Sequence, residues 1–121
     1  MDFSIIEPKL NVNLKGKQYY LLVDEGIQSQ GEWNVIAVQG VTKAITIGRE
    51  TAGANGMAVT VTLPGNYVTF FSGFGEYYMD HTPNQKNGVK LDIKVIKTLK
   101  ATLNGKDDIL ETALKVISGS L

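Results

Sequence analysis

Leu21-Leu22-Val23-Asp24-Glu25-Gly26-Ile27-Gln28-Ser29-Gln30-Gly31-Glu32 is the stretch on which the fold turns. The run from Tyr19 to Val23 is aromatic and apolar, as a strand requires, and it ends in an acidic-glycine turn. From Ser29 the period changes. Trp33, Ile36, Ala37 and Gly40 fall at i, i+3, i+4 and i+7, one face of a helix. Lys43 to Gly48 reads as a second buried strand. The segment Gln18 to Gly48 is therefore expected to be a β-α-β unit, with parallel strands and a right-handed crossover.

Ser29 has two readings in that setting. A serine at the mouth of a helix places its hydroxyl beside unpaired backbone N–H groups, where strand-turn-helix serine nucleophiles work. The same serine with Glu32 three residues on fits a capping box: the hydroxyl accepts from the N3 amide and the glutamate reaches back. Such a cap is worth about 1 kcal/mol and carries no chemistry.

Residues 1 to 16 are weakly patterned and read as a lead-in, with a short extended piece at Leu10 to Leu14. Beyond Gly48, Thr51 to Gly56 is a small-residue loop. Ala58 to Leu63, the turn Pro64-Gly65-Asn66 and Tyr67 to Phe71 make a hairpin. A polar loop from Asp80 to Asn87 precedes an extended segment, Gly88 to Val95. The end is a helix: Asp107 and Asp108 suit its first turn, Leu110, Ala113, Leu114 and Ile117 form its apolar stripe, and Gly119 stands at C′.

Composition narrows the function classes. A chain of 121 residues, 43% apolar and 20% charged, suits one domain with a real core. Twelve basic and twelve acidic residues cancel, so no excess charge calls for nucleic acid or an anionic membrane as partner. With no cysteine and a single histidine, His81, metal and cofactor binding are not expected. No apolar run reaches the length of a membrane span, and the first residues lack the regions of a signal peptide.

Five motifs follow one another along the chain: Ile27-Gln28-Ser29-Gln30-Gly31-Glu32, Gly48-Arg49-Glu50-Thr51-Ala52-Gly53, Leu63-Pro64-Gly65, Gly88-Val89-Lys90-Leu91-Asp92-Ile93 and Gly105-Lys106-Asp107-Asp108-Ile109-Leu110-Glu111-Thr112-Ala113. In that order they resemble the C-terminal processing peptidases, or tail-specific proteases, a family of serine peptidases. That family runs Thr-x-Ser-x-x-Glu, Gly-x-x-Thr-x-Gly, Leu-Pro-Gly, Gly-Val-x-Pro-Asp-Ile and Gly-x-Asp-x-x-Leu-x-x-Ala. The resemblance covers residues 17 to 117.

The resemblance implies an α/β fold: a crotonase- or Clp-like β-α-β core with a β-hairpin and a C-terminal helix, present as a partial domain. Residues 17–121 would be the C-terminal part of a peptidase-like catalytic domain. Ser29 becomes the candidate nucleophile and the N–H of Gln30 one oxyanion-hole donor, with Glu32 in support. Four positions depart from the pattern. Ile27 replaces the threonine before the serine and Leu91 replaces a proline. Ala54 stands where one branch carries its lysine base, and Ala58 where the glutamine supporting that lysine belongs. A second, tricorn-like branch uses an upstream histidine and a glutamate whose matching position here is Gln85, a supporting residue without charge. The histidine and a glycine-rich second oxyanion donor are expected outside this sequence.

Other candidates read more simply. His81, between Asp80 and Thr82, is a solvated loop histidine; a triad is defined by geometry, not by the presence of its residue types. Gly53 to Gly56 lacks the Gly-Lys-Ser/Thr of a phosphate loop. Tyr67, Phe70, Phe71, Phe74, Tyr77 and Tyr78 read as core packing along the hairpin rather than a peptide-binding wall. Asp107, Asp108 and Glu111 complement a helix dipole.

Two functions follow. One is an exported (periplasmic or extracellular) serine endopeptidase acting on polypeptides, of which this chain is an inactive fragment lacking its base. The other is a non-catalytic peptidase-like module that binds peptide or serves assembly. With part of its partner layer gone, the chain is expected to expose apolar surface and form homo-oligomers.

Overall fold

A computed structural model of the chain describes residues 16–120. The lead-in lies outside them apart from Gly16. Eight elements follow in order: β1 Tyr20–Val23, α1 Gln30–Val41, β2 Ile45–Gly48, β3 Ala58–Leu63, β4 Tyr67–Ser72, β5 Ile93–Lys94, α2 Leu99–Leu103 and α3 Asp108–Ile117. The architecture is mixed α/β.

β1, β2 and β5 form a parallel sheet with β2 in the centre. β1 pairs with β2 from Tyr20 opposite Ile45 to Val23 opposite Gly48, so the β-α-β unit read from the sequence is present. On the other side of β2, β5 pairs only through Ile93 and Lys94. The longer strand expected over Gly88 to Val95 does not form, because Asp92 interrupts the ladder: its carboxylate, rather than a backbone carbonyl, takes the Thr46 N–H at 2.7 Å.

The pleat sorts the side chains of the sheet onto two faces. Tyr20, Ile45, Ile47 and Ile93 pack with Val95 against Ile109, Ala113 and Val116 of α3. Leu21 and Val23 pack on the opposite face with Val35 and Ile36 of α1, joined by Ile27, Val89 and Leu91. The sheet therefore has a helix on each side. At the exit of both strands the backbones touch: Gly48 has φ +151°, and a Cβ there would lie 1.8 Å from the Val23 carbonyl oxygen.

Both helices bury a different stripe from the one expected. In α1 the inward positions are Glu32, Val35, Ile36 and Gln39, whereas Trp33 is 44% exposed and Gly40 lies in solvent. Hydropathy periodicity misses this face because two of its four members are polar. Gln39 is satisfied there by the Thr46 hydroxyl and the Lys90 carbonyl, each accepting from its amide at 2.8 Å. In α3 the buried residues are Ile109 and Ala113, with Val116 packed beside them, while Leu110, Leu114 and Ile117 are exposed. The helix is apolar over a wide arc, and contact with β1 and β2 selects one side of it. Gly119 at φ +69° follows the C-cap as expected and Asp108 lies in the first turn, but Asp107 stands one place earlier than read, as the N-cap whose side chain accepts from Ile109 and Leu110 N–H.

β3 and β4 pair antiparallel around Pro64 to Asn66 as a separate two-stranded sheet. Its aromatics are not core. Tyr67, Phe70, Phe71, Phe74 and Tyr77 are all exposed, and Tyr78 is only half-buried. No element among the described residues covers either face of the hairpin strongly enough to bury them.

Candidate functional site

Ser29 sits on the turn from β1 into α1, at the carboxyl end of the sheet where open α/β folds place their sites. The turn is built from its own acids. Asp24 accepts from Gly26 N–H through its side chain at 3.0 Å and from Ile27 N–H through its carbonyl at 3.2 Å. Glu25 reaches across to Arg49, which follows β2, at 2.6 Å, and Lys97 stands 3.5 Å from the same carboxylate. The Arg49 hydrogen bond, with Lys97 adding to it, holds the Glu25 carboxyl at a pKa of about 2.

Ser29 itself has φ 50° and ψ −121° and makes no side-chain capping bond. The capping-box expectation therefore fails. An N-cap serine takes β-region angles and turns its oxygen back to the helix amides, and this backbone turns it elsewhere. A positive φ is costly for a residue with a Cβ and marks a conformation imposed by its surroundings. Those surroundings are the loop after β2. Ser29 N–H donates to the Ala54 carbonyl at 3.1 Å, and Ala52 N–H donates to Ile27 carbonyl at 2.9 Å. Gln30 opens α1, so its N–H is among those without an intrahelical acceptor, and its side chain bonds Asn34.

Glu32, the other half of the expected box, is 1% exposed and turned away from the helix start. Its Oε1 accepts from the Thr51 hydroxyl at 2.5 Å and from Gly53 N–H at 2.8 Å. Thr51 Oγ1 in turn accepts from Val89 N–H at 3.0 Å. One carboxylate thus ties α1 to the 51–56 loop, and one threonine ties that loop to the segment before β5. Gly53 is needed for the close approach: it has φ +62°, and a Cβ would lie 2.8 Å from the Lys86 carbonyl carbon.

Gln85 joins this assembly from the opposite side. Its amide nitrogen lies 2.8 Å from where a Cβ on Gly56 would stand, and the next residue, Lys86, donates its N–H to Gly53 carbonyl at 2.7 Å. Ser29, Glu32 and Gln85 thereby each meet the loop that carries Ala54, whereas Gln30 follows Ser29 and makes no bond to that loop among the described residues. His81 is placed on the turn from Tyr78 to Thr82, with φ 63° and its N–H on the Tyr78 carbonyl. Asp80 beside it belongs to a surface pair with Lys90 at 2.6 Å; that ammonium and the Thr82 hydroxyl hold its carboxyl well below the usual range. Among the described residues no cluster of three metal-ligating side chains occurs, and no helix is long and apolar enough to cross a membrane.

Sequence reasoning passed over three buried polar residues of this loop system, Thr51, Asn55 and Asn84. Thr51 had a signal, its place in the Gly-x-x-Thr-x-Gly motif. The asparagines had none, since a loop asparagine is ordinarily a turn former.

Chemically, the arrangement offers a hydroxyl at a positive-φ turn before a helix, beside a loop braced by a buried carboxylate. At position 54, whose carbonyl accepts from the Ser29 N–H, the side chain is a methyl group and supplies no base.

The model of peptidase family S41 matches residues 6–95. No curated protein matches the chain. Among solved structures, mature CPAF complexed with lactacystin aligns at 21% identity and TM-score 0.72 over 84% of this chain. A protein of Parabacteroides merdae aligns at 21% identity and TM-score 0.71 over 80% of this chain. The photosystem II D1 C-terminal processing protease aligns at 19% identity and TM-score 0.50 over 65%. At these identities the likeness is one of fold. The chain spans 20%, 30% and 22% of those three proteins respectively. With most of its length matched by the family model and the five motifs in their order, the chain belongs to peptidase family S41, the C-terminal processing peptidases.

Proposed function

We propose that residues 17–121 are the C-terminal part of the catalytic domain of an exported serine endopeptidase with a crotonase/Clp-like core. Ser29 is its nucleophile, the Gln30 N–H an oxyanion donor, and Glu32 and Gln85 position the loop that faces the serine. The observation that carries this reading is the Ser29 backbone at φ 50° and ψ −121°, with no capping bond from its side chain. A serine serving only as a cap has no need of that conformation. The substrate is a polypeptide, bound as an added strand along an open sheet edge.

The isolated chain has no peptidase activity in this reading, because position 54 supplies no base. A fluorophosphonate probe tests both halves. The wild-type chain labels slowly, Ala54→Lys labels faster, and Ser29→Ala abolishes the gain. Rapid labelling of the wild-type chain overturns the inactivity, and an Ala54→Lys chain that labels no faster overturns the assignment of Ser29.

A non-catalytic module that binds peptide or assembles with a partner is the second reading. Ala54 against the serine and Ala58 four residues on favour it.

A further inference from the structure

A second concave site lies at the other end of α1 from Ser29. From Gln30 to Gly40 the helix runs about 15 Å. Beside Gly40 a groove of about 330 Å³ opens between the helix and the segment around Asp92. Its floor is apolar, made by Ile36, Gly40, Ala44 and Met79. Gly40 leaves it open, since a Cβ there would meet no atom within 4 Å.

One wall is fastened by three contacts between the 78–80 turn and Lys90. Tyr78 Oη accepts from Lys90 N–H at 2.7 Å, and the Lys90 ammonium stands 4.3 Å from the centre of the Tyr78 ring. Asp80 pairs with that ammonium at 2.6 Å, so the charges of this wall cancel.

The other wall holds a charge that nothing balances. Asp92 and Gln39 meet there through Thr46. Asp92 Oδ2 accepts from Thr46 N–H at 2.7 Å, and the Gln39 amide donates to the Thr46 hydroxyl at 2.8 Å. The amide gives its other hydrogen to the Lys90 carbonyl at 2.8 Å, which leaves Gln39 only Oε1 to offer. Among the described residues neither Gln39 Oε1 nor Asp92 Oδ1 has a hydrogen-bond partner, and Asp92 forms no ion pair. α1 also ends here, with the negative pole of its dipole and no basic residue in its last turn. Lys43, past the cap, does not line the groove.

A matching ligand brings one positive charge, donors that span two acceptors, and an apolar stem for the floor. An ammonium is a compact, strongly hydrated point charge. A guanidinium is planar, more weakly hydrated and presents several donors in a fixed fork, on a stem that covers apolar surface.

We propose that this groove binds the arginine side chain of a polypeptide, with the guanidinium on Asp92 and Gln39 Oε1 and the stem on Ile36 and Met79. A polypeptide suits it better than free arginine, whose carboxylate would meet Asp80 and Asp92. The groove stands apart from the Ser29 turn, so the proposal goes beyond the serine reading and does not rest on it.

The test is an NMR titration of the isotope-labelled chain with the blocked peptide acetyl-Ala-Arg-Ala-amide. Saturable shifts are expected at the Gly40 and Ala44 amides. The citrulline counterpart, similar in shape and uncharged, should give none. The lysine counterpart and free arginine should each bind several-fold more weakly. Asp92→Asn keeps an oxygen for the Thr46 N–H and should weaken binding about tenfold. Gly40→Met fills the groove from a helical position, where methionine is the better helix former, and should abolish binding with the fold intact. Absence of saturable shifts, equal binding of the citrulline or lysine peptide or of free arginine, or unchanged affinity in Asp92→Asn or Gly40→Met overturns the proposal.

Discussion

Thr51 donates its hydroxyl hydrogen to Glu32 at 2.5 Å and accepts from Val89 N–H with the same oxygen. Three segments distant in sequence meet at that one atom. Replacing Thr51 with valine keeps the shape and removes both bonds, leaving the Val89 N–H orphaned and Glu32 with Gly53 alone. The expected loss is about 2 to 3 kcal/mol. Thr51→Ser keeps the hydroxyl and stays within about 1 kcal/mol of wild type. Urea denaturation of the two variants checks the difference.

Acid should weaken the turn before Ser29. The folded pKa of Glu25 is about 2, depressed by the Arg49 hydrogen bond, against an ordinary value of 4.5. A depressed carboxyl contributes stability that is whole above the unfolded value and is lost as pH falls through the folded one. The contribution should thus fade between 4.5 and about 2. Arg49→Met should flatten the stability profile in that window. Because the pair is exposed, added salt should shrink the difference between the two proteins. Denaturation midpoints across the acid range measure it.

Self-association should run through the hairpin. β3 and β4 carry no charged residue, Phe70 is 75% exposed, and charges on an edge are the usual guard against strand pairing. Sedimentation velocity should show association that grows with concentration, weakened by Phe70→Lys with a stability change within about 0.5 kcal/mol. A monomer at high concentration sinks the expectation.

The burial register of α3 is open to a direct comparison. Ile109 packs with Ile47, Val95 and Ala113, whereas Leu110 next to it is half in solvent. Ile109→Ala should cost about 2 to 5 kcal/mol, and Leu110→Ala roughly 1 kcal/mol. Thermal unfolding of both variants decides. Equal costs would mean that the helix is rotated from the arrangement described.

The parallel β1-α1-β2 unit was legible because apolar runs of strand length flank a helix-length segment and the turn residues between them are unambiguous. The acidic start of α3 and its closing Gly119 were legible for a similar reason, since both act locally, although Asp107 proved to be the cap itself rather than a first-turn charge. What escaped the sequence was long-range. Glu32 reads as a capping partner to any local rule, and only contact with Thr51 and Gly53 reveals it as a buried strut. The inward stripe of α1 escaped with it, because Gln39 meets its partners on β2 and the segment before β5. Ser29 drew attention by its setting at the strand-turn-helix junction, but the backbone angles that separate a strained turn from a cap are a tertiary property.

The two polar residues on the buried side of α1 have one more effect. Glu32 and Gln39 are seven residues apart, about 10 Å along the axis, and each engages a fixed partner off the helix. An apolar stripe alone would let the helix roll or slip with small changes in packing. Two hydrogen-bonded pins at different heights index it instead: rotation by one residue breaks both. The direction in which Ser29 faces is thereby a discrete setting of the helix rather than an average over its rocking.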